Sequence, residues 1–120
     1  MEPEAGLAES VFESAVRAAA LLSAAADPNR MAVLRILASG KACVCELQEE
    51  IPVAPNLLSY HLKVLKEAGL ISGQRRGRWV DYEIAEDALD RLRAAIPMPA
   101  TAQPPAQATK RAARPRRTER

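Results

Sequence analysis

Histidine occurs once in the 120 residues, cysteine twice, and aromatic side chains make up only 3% of the chain. One histidine cannot build a nitrogen-rich metal site, and scattered carboxylates without a nucleophile–base constellation leave nothing for an enzyme to assemble. Cys43 and Cys45 stand one residue apart, which is poor disulfide material and fits a reducing cytoplasm. With Phe12, Tyr60, Trp79 and Tyr82 as the aromatics, the core must be Leu, Val, Ile and Ala. No run approaches the roughly 18 uninterrupted apolar residues of a spanning helix, which excludes a membrane protein. The opening residues, Met1 to Ser10, carry acids where a secretory signal carries Lys or Arg, so export is not expected. The length suits one small domain with a tail, and a chain this small gains from a partner subunit that buries more apolar surface.

The net charge of +2 conceals a partition. Residues 97–120 carry +5 and residues 1–96 carry −3. Within that acidic body, residues 53–80 hold Lys63, Lys66, Arg75, Arg76 and Arg78 against Glu67 alone. One basic segment in an acidic body suggests a localised footprint for a polyanion, although a merely solvated basic face has the same composition. From Pro97 onward five prolines lie among Ala, Gln, Thr and Arg, the composition of a disordered basic tail. The expected division is therefore a folded domain over 1–96 and a tail over 97–120.

Periodicity supplies the elements. Leu7, Val11, Ala15, Ala18, Leu22 and Ala25 recur at helical steps over about 7–25. Asp27 is a natural N-cap and Pro28 suits the first helical position, so a second helix runs to about Ala38 with Met31, Leu34 and Leu37 buried. A short helix over 44–50 has Cys43 at its N-cap and Glu46 three residues on, the spacing of a capping box with sulfur in place of a hydroxyl. After a turn at Val53-Ala54, Pro55 opens a longer helix to Ala68, with Gly69 beyond its end. Two helices joined this tightly form a helix-turn-helix pattern. From Leu70 the period becomes two: 70–75 and 78–84 flank Arg76-Gly77 as a β-hairpin. A last helix over about 86–96 places Leu89, Leu92 and Ile96 on one side. The expected architecture is mainly α with a β-hairpin wing, α-α-α-α-β-β-α, a winged helix-turn-helix.

On the helix after Pro55, Leu58, Leu62 and Leu65 are spaced to face the core, while Asn56, Ser59, Tyr60, Lys63 and Glu67 form the opposite stripe. Short hydrogen-bonding residues followed by Lys suit a helix whose start enters a major groove. Asn56 can read adenine, Ser59 and Tyr60 can take base edges or phosphate, and Lys63 suits phosphate. Arg75, Arg76 and Arg78 at the wing can follow the adjacent backbone or enter the minor groove. The simpler account of the stripe is the wet face of an amphipathic helix, and the basic wing tips the balance toward double-stranded DNA. His61 reads as a packed or hydrogen-bonded structural residue, and Trp79 as packing at the wing base. Thiols at i and i+2 of a regular helix point apart, so Cys43 and Cys45 can share a soft ion only if the first helical turn loosens. By spacing alone, two small space-filling residues account for the pair equally well.

Four stretches together resemble one family. Ala26-Asp27-Pro28-Asn29-Arg30, Cys43-Val44-Cys45-Glu46-Leu47, the run from Leu58 through His61, Lys63 and Gly69 to Leu70, and Arg76-Gly77-Arg78-Trp79-Val80 are similar, in order, to the ArsR family of metalloid- and metal-sensing repressors. The resemblance covers about residues 20–96. It implies a homodimeric winged-helix repressor that leaves its operator when an ion binds, with no permanent cofactor. It also implies that Cys43 and Cys45 form the arsenite site. Many arsenic sensors of the family have a third cysteine three residues further on, where this chain has Gln48. That departure admits a small thiol or solvent as third ligand to arsenite or antimonite, and it also admits mercury(II), which accepts two thiolates. The zinc sensors' ligand pairs on the last helix have no counterpart, since 86–96 contains no histidine. Two further readings stand beside this one: a thiol switch responding to oxidant or sulfide species, and a plain DNA-binding module with inert cysteines.

Overall fold

The structure, a computed structural model, describes residues 9–100. The first eight residues, Leu7 among them, and the tail from residue 101 onward lie outside the described residues. Among the described residues five helices and three short strands follow in the order α1 (Val11–Ala25), α2 (Pro28–Ala38), β1 (Ala42–Cys43), α3 (Val44–Glu50), α4 (Pro55–Glu67), β2 (Ile71–Arg76), β3 (Trp79–Ile84) and α5 (Ala88–Ala95).

The starts of α1 and α2 are fixed by their caps. Ser10 caps α1 through a reciprocal box, its hydroxyl accepting from Glu13 N at 3.0 Å while Glu13 accepts from Ser10 N at 3.1 Å. This cap sets the start of α1 at Val11. Asp27 accepts from the N–H groups of Asn29 and Arg30 at 2.8 and 3.1 Å, with Pro28 at the first helical position. At the far end of α4, Gly69 takes φ +76°. There Gly69 N donates to Lys66 O and Leu70 N to Leu65 O, the pair of bonds that closes a helix and turns the chain.

The core is aliphatic, as the scarcity of aromatics requires. Val33, Leu34 and Leu37 of α2, Leu47 of α3, and Leu58, Leu62 and Leu65 of α4 meet Ile51, Leu70 and Ile71 in one cluster. Met31 is exposed. Val33 takes the place expected for it, because the buried stripe of α2 runs 33-34-37 rather than 31-34-37. On α5 the inward residues are Ala88 and the half-buried Leu92, whereas Leu89 and Ile96 point to solvent. That helix begins at Ala88, later than the sequence suggests.

The sheet differs from a simple hairpin. It has three antiparallel strands in the order β1-β3-β2, with β1 pairing Ala42 to Tyr82 and Cys43 to Asp81. The observed order is thus α-α-β-α-α-β-β-α. The hairpin register sets Arg76 opposite Trp79, so the two-residue turn is Gly77-Arg78 instead of Arg76-Gly77. Gly77 takes φ +65° at the first central position, the conformation such a turn demands and a side chain resists. No described helix is long and apolar enough to cross a membrane.

Candidate nucleic-acid interface and thiol pair

The tight connection between α3 and α4 is held by a side chain. Gln48 donates its amide to Val53 O at 2.6 Å and to Ile51 O at 3.4 Å. The position that could have carried a third sulfur instead staples the turn. Nothing in the spacing of the sequence announces this role, since the acceptors belong to residues of irregular backbone.

α4 separates its two faces cleanly. Leu58, His61, Leu62 and Leu65 are buried, while Asn56, Ser59, Tyr60 and Lys63 are exposed together on the outer side. Leu57 is exposed beside them. Lys63 Nζ lies 4.0 Å from Glu67, a solvent-exposed pair of small energetic consequence that leaves the ammonium accessible. His61 is a structural residue as expected: it is 5% exposed and its Nδ1 lies 2.9 Å from Arg30 Nη1. A groove of about 340 Å³ separates this face from the sheet and is bordered by Val44, Ser59, Lys63, Lys66 and Tyr82.

The three wing arginines are not equivalent. Arg75 and Arg76 are adjacent on β2 and so point to opposite faces of the sheet. Arg76 forms a two-pronged pair with Asp81 of β3, Nε to Oδ2 at 2.6 Å and Nη2 to Oδ1 at 3.0 Å. The guanidinium holds the Asp81 carboxyl below the usual carboxylate range, and the carboxylate raises Arg76 in turn. Arg75 donates to Gly77 O at 3.3 Å across the turn. Arg78, in the turn itself, has no ion-pair partner among the described residues. Trp79 is 48% exposed, at the far end of the strand from the core rather than packed at the wing base.

Cys43 and Cys45 are both free thiols, the first half-buried and the second exposed. Cys43 ends β1 and is also the N-cap of α3, with extended φ −89° and ψ 169°. Glu46 accepts from Cys43 N at 2.8 Å, so the carboxylate arm of the expected capping box is formed. Cys45 is already inside the helix. The two sulfurs therefore issue from backbone of different kinds, one strand-like and one helical. No group of three or more His, Cys, Asp and Glu poised to hold a metal occurs among the described residues. The donor set fits a soft ion that takes two thiolates and completes its coordination from solution.

Helices built on a shared aliphatic core, an exposed-faced helix presented by a tight turn and a basic β-wing beside it define a winged helix-turn-helix. Residues 27–72 match the arsR family of bacterial regulatory proteins. The chain is 35% identical over 77 residues to an uncharacterized HTH-type transcriptional regulator of Methanocaldococcus jannaschii, covering 63% of this chain and 86% of the relative. It is 39% identical over 70 residues to the arsenical resistance operon repressor of Bacillus subtilis, covering 58% and 67%. It is 44% identical over 66 residues to the transcriptional repressor SmtB of Mycobacterium tuberculosis, of which it spans about half, 49%. A solved structure described as a possible transcriptional regulator for arsenical resistance superposes with a TM-score of 0.59 at 36% identity, covering 62% of this chain and 77% of that one. The chain belongs to the arsR family, a family of DNA-binding regulators rather than of enzymes.

Proposed function

We propose that this protein is a homodimeric repressor that holds operator DNA and releases it when arsenite or antimonite is captured by Cys43 and Cys45. The observation that carries the reading is the position of Cys43 as the N-cap of α3, with Cys45 one residue inside the same helix. Arsenite, As(OH)3, condenses with two thiols: two As–S bonds form, two As–OH bonds break, and the thiol protons leave with the hydroxides as two waters. Both sulfurs can reach one arsenic only if the first turn of α3 yields. The third substituent is hydroxide or an external thiol, because Gln48 is engaged with the turn.

On DNA, Asn56, Ser59 and Tyr60 address base edges and Lys63 a phosphate, while Arg75 and Arg78 follow the flanking backbone. Arg76 reaches the duplex only with the donors that Asp81 leaves. In a two-fold dimer both reading helices must meet half-sites about one helical turn apart, so a small displacement of α4 is costly. A coupling of about 1–3 kcal/mol per site, applied twice, suffices for release. The names of relatives and neighbours that concern arsenical resistance support the inducer class.

The test uses a duplex selected by the apo protein from a random pool, with arsenite, antimonite, mercury(II), cadmium and zinc at controlled free concentration. Arsenite is expected to release the wild type and to leave Cys43→Ser and Cys45→Ser bound. Equal release of both variants removes the thiols from the switch. Release by mercury(II) alone favours the two-coordinate ion, a second reading supported by the two-sulfur donor set. Release by peroxide or persulfide alone makes the pair a redox switch.

A further inference from the structure

The thiol element is tied to the wing as directly as to the reading helix. β1 is only two residues long, and its whole pairing is with β3: Ala42 with Tyr82 and Cys43 with Asp81. Directly paired residues project on the same face of a sheet with their Cβ atoms about 4.5–5.5 Å apart. Asp81 is also paired with Gln74 on its other side, and Arg76 is the diagonal neighbour beyond it. Cys43, Asp81 and Arg76 therefore occupy one face of one sheet, in a line that runs from the N-cap of α3 to the residue before the wing turn. The Glu46 carboxylate adds to the field that stabilises the Arg76 charge.

We propose that Asp81 is the positioning residue that carries ion capture from Cys43 to the wing, by way of its paired strand and its two-pronged hold on Arg76. The proposal rests on arsenite binding to the cysteine pair. Drawing Cys43 toward Cys45 pulls the end of β1 away from Asp81, since a two-residue strand has no further pairing to keep it in place. Asp81 then loses its neighbour on one side, its hold on Arg76 changes, and the twist of the hairpin at Arg76 and Trp79 changes with it. The wing and the reading helix thus leave the DNA together, each through its own connection to the start of α3.

Trp79 is the only tryptophan, is half exposed and lies directly opposite Arg76, so the wing carries its own reporter. The full chain is titrated with sodium arsenite while Trp79 emission and the number of thiols reactive toward a disulfide reagent are followed together. Wild type is expected to lose both reactive thiols and to change its emission with the same midpoint. Asp81→Asn is expected to lose both thiols at an arsenite concentration within about threefold of wild type, with most of the emission change gone. Asp81→Glu, which keeps the carboxylate, is expected to restore it, and Glu83→Gln on the same strand face is expected to behave as wild type. A full emission change in Asp81→Asn with both thiols protected overturns the proposal, as does an unchanged Trp79 signal in arsenite-loaded wild type. Thiols that stay reactive in wild type overturn the arsenite reading itself, and the proposal with it.

Discussion

Arg30 Nη1 lies 2.9 Å from His61 Nδ1, and because a guanidinium only donates, that ring nitrogen accepts. The same side chain donates through Nε to Ala24 O at 2.6 Å. One arginine at the start of α2 therefore joins the last turn of α1 to the middle of α4, the helix proposed to read DNA. Asp27 completes the group, with a carboxylate oxygen 3.9 Å from His61 Nε2.

Arg30→Met is expected to destabilise the fold by about 1–3 kcal/mol, because it leaves a buried imidazole nitrogen without its donor. His61→Leu costs less, since Arg30 retains Ala24 O. The double variant is expected to be more stable than the sum of the single effects predicts. Urea unfolding of the four proteins measures this. Strict additivity means that the two side chains do not act on each other.

Asp27 gives the fold an acid-sensitive component. Its carboxyl is held below the usual carboxylate range chiefly by the N–H of Arg30, with the N–H of Asn29 and the Arg30 charge assisting and desolvation opposing. The folded pKa is lower than the unfolded one, so at acid pH the unfolded chain binds more protons. The contribution is present above the unfolded value and is lost as pH falls through the folded value. Asp27→Ser, which keeps a capping oxygen that does not titrate, is expected to flatten the stability profile below about pH 4. Asp27→Ala is expected to cost about 1 kcal/mol at neutral pH as well. An acid limb equally steep in Asp27→Ser assigns the effect to another carboxyl.

The caps and stripes were legible because they are local. Asp27-Pro28, Gly69 and the Leu58-Leu62-Leu65 spacing each act within a turn or two of their own helix, and they placed α2, α4 and its exposed face. β1 was not legible, since two residues show no alternation and their strand character comes from β3, almost forty positions away. Arg76 was grouped with Arg75 and Arg78 for the same reason. Its engagement with Asp81 depends on a hairpin pairing that moved by two residues, from Ser72 to Gln74 opposite Asp81, once the turn proved to be Gly77-Arg78. Met31 and Val33 exchanged roles because two helix faces fit the apolar residues of α2, and only packing against α4 and β3 selects one.

The exposed stripe of α4 makes a prediction that separates affinity from specificity. Lys63→Ala and Arg78→Ala are expected to weaken binding to all duplexes alike and to reduce the slope of log affinity against log salt by about 0.9 each. Asn56→Ala is expected to relax preference at one base pair, by about 1–3 kcal/mol, with the salt slope unchanged. Binding isotherms at several salt concentrations, on the selected duplex and on single-base variants, resolve the two effects. A salt slope that falls in Asn56→Ala but not in Lys63→Ala reverses the assignment.

The first helix argues for a second copy of the chain. Every residue from Val11 to Arg17 is exposed, with Val11 at 87% and Phe12 at 76%, and α1 meets its own core chiefly through Leu21, Ala24 and Ala25. An isolated projecting half-helix with apolar side chains in water has little to hold it, since most helical stability in proteins comes from packing an amphipathic face. α5, which packs beside α1, exposes Leu89 and Ile96 in the same way. Phe12→Asp removes apolar surface from the proposed contact without touching the core, so it is expected to sediment as a folded monomer at concentrations where the wild type is expected to be a dimer. Its affinity for a two-half-site duplex is expected to drop more than tenfold, while binding to a single half-site stays near the wild-type value. Wild-type sedimentation of Phe12→Asp places the pairing surface elsewhere on the molecule.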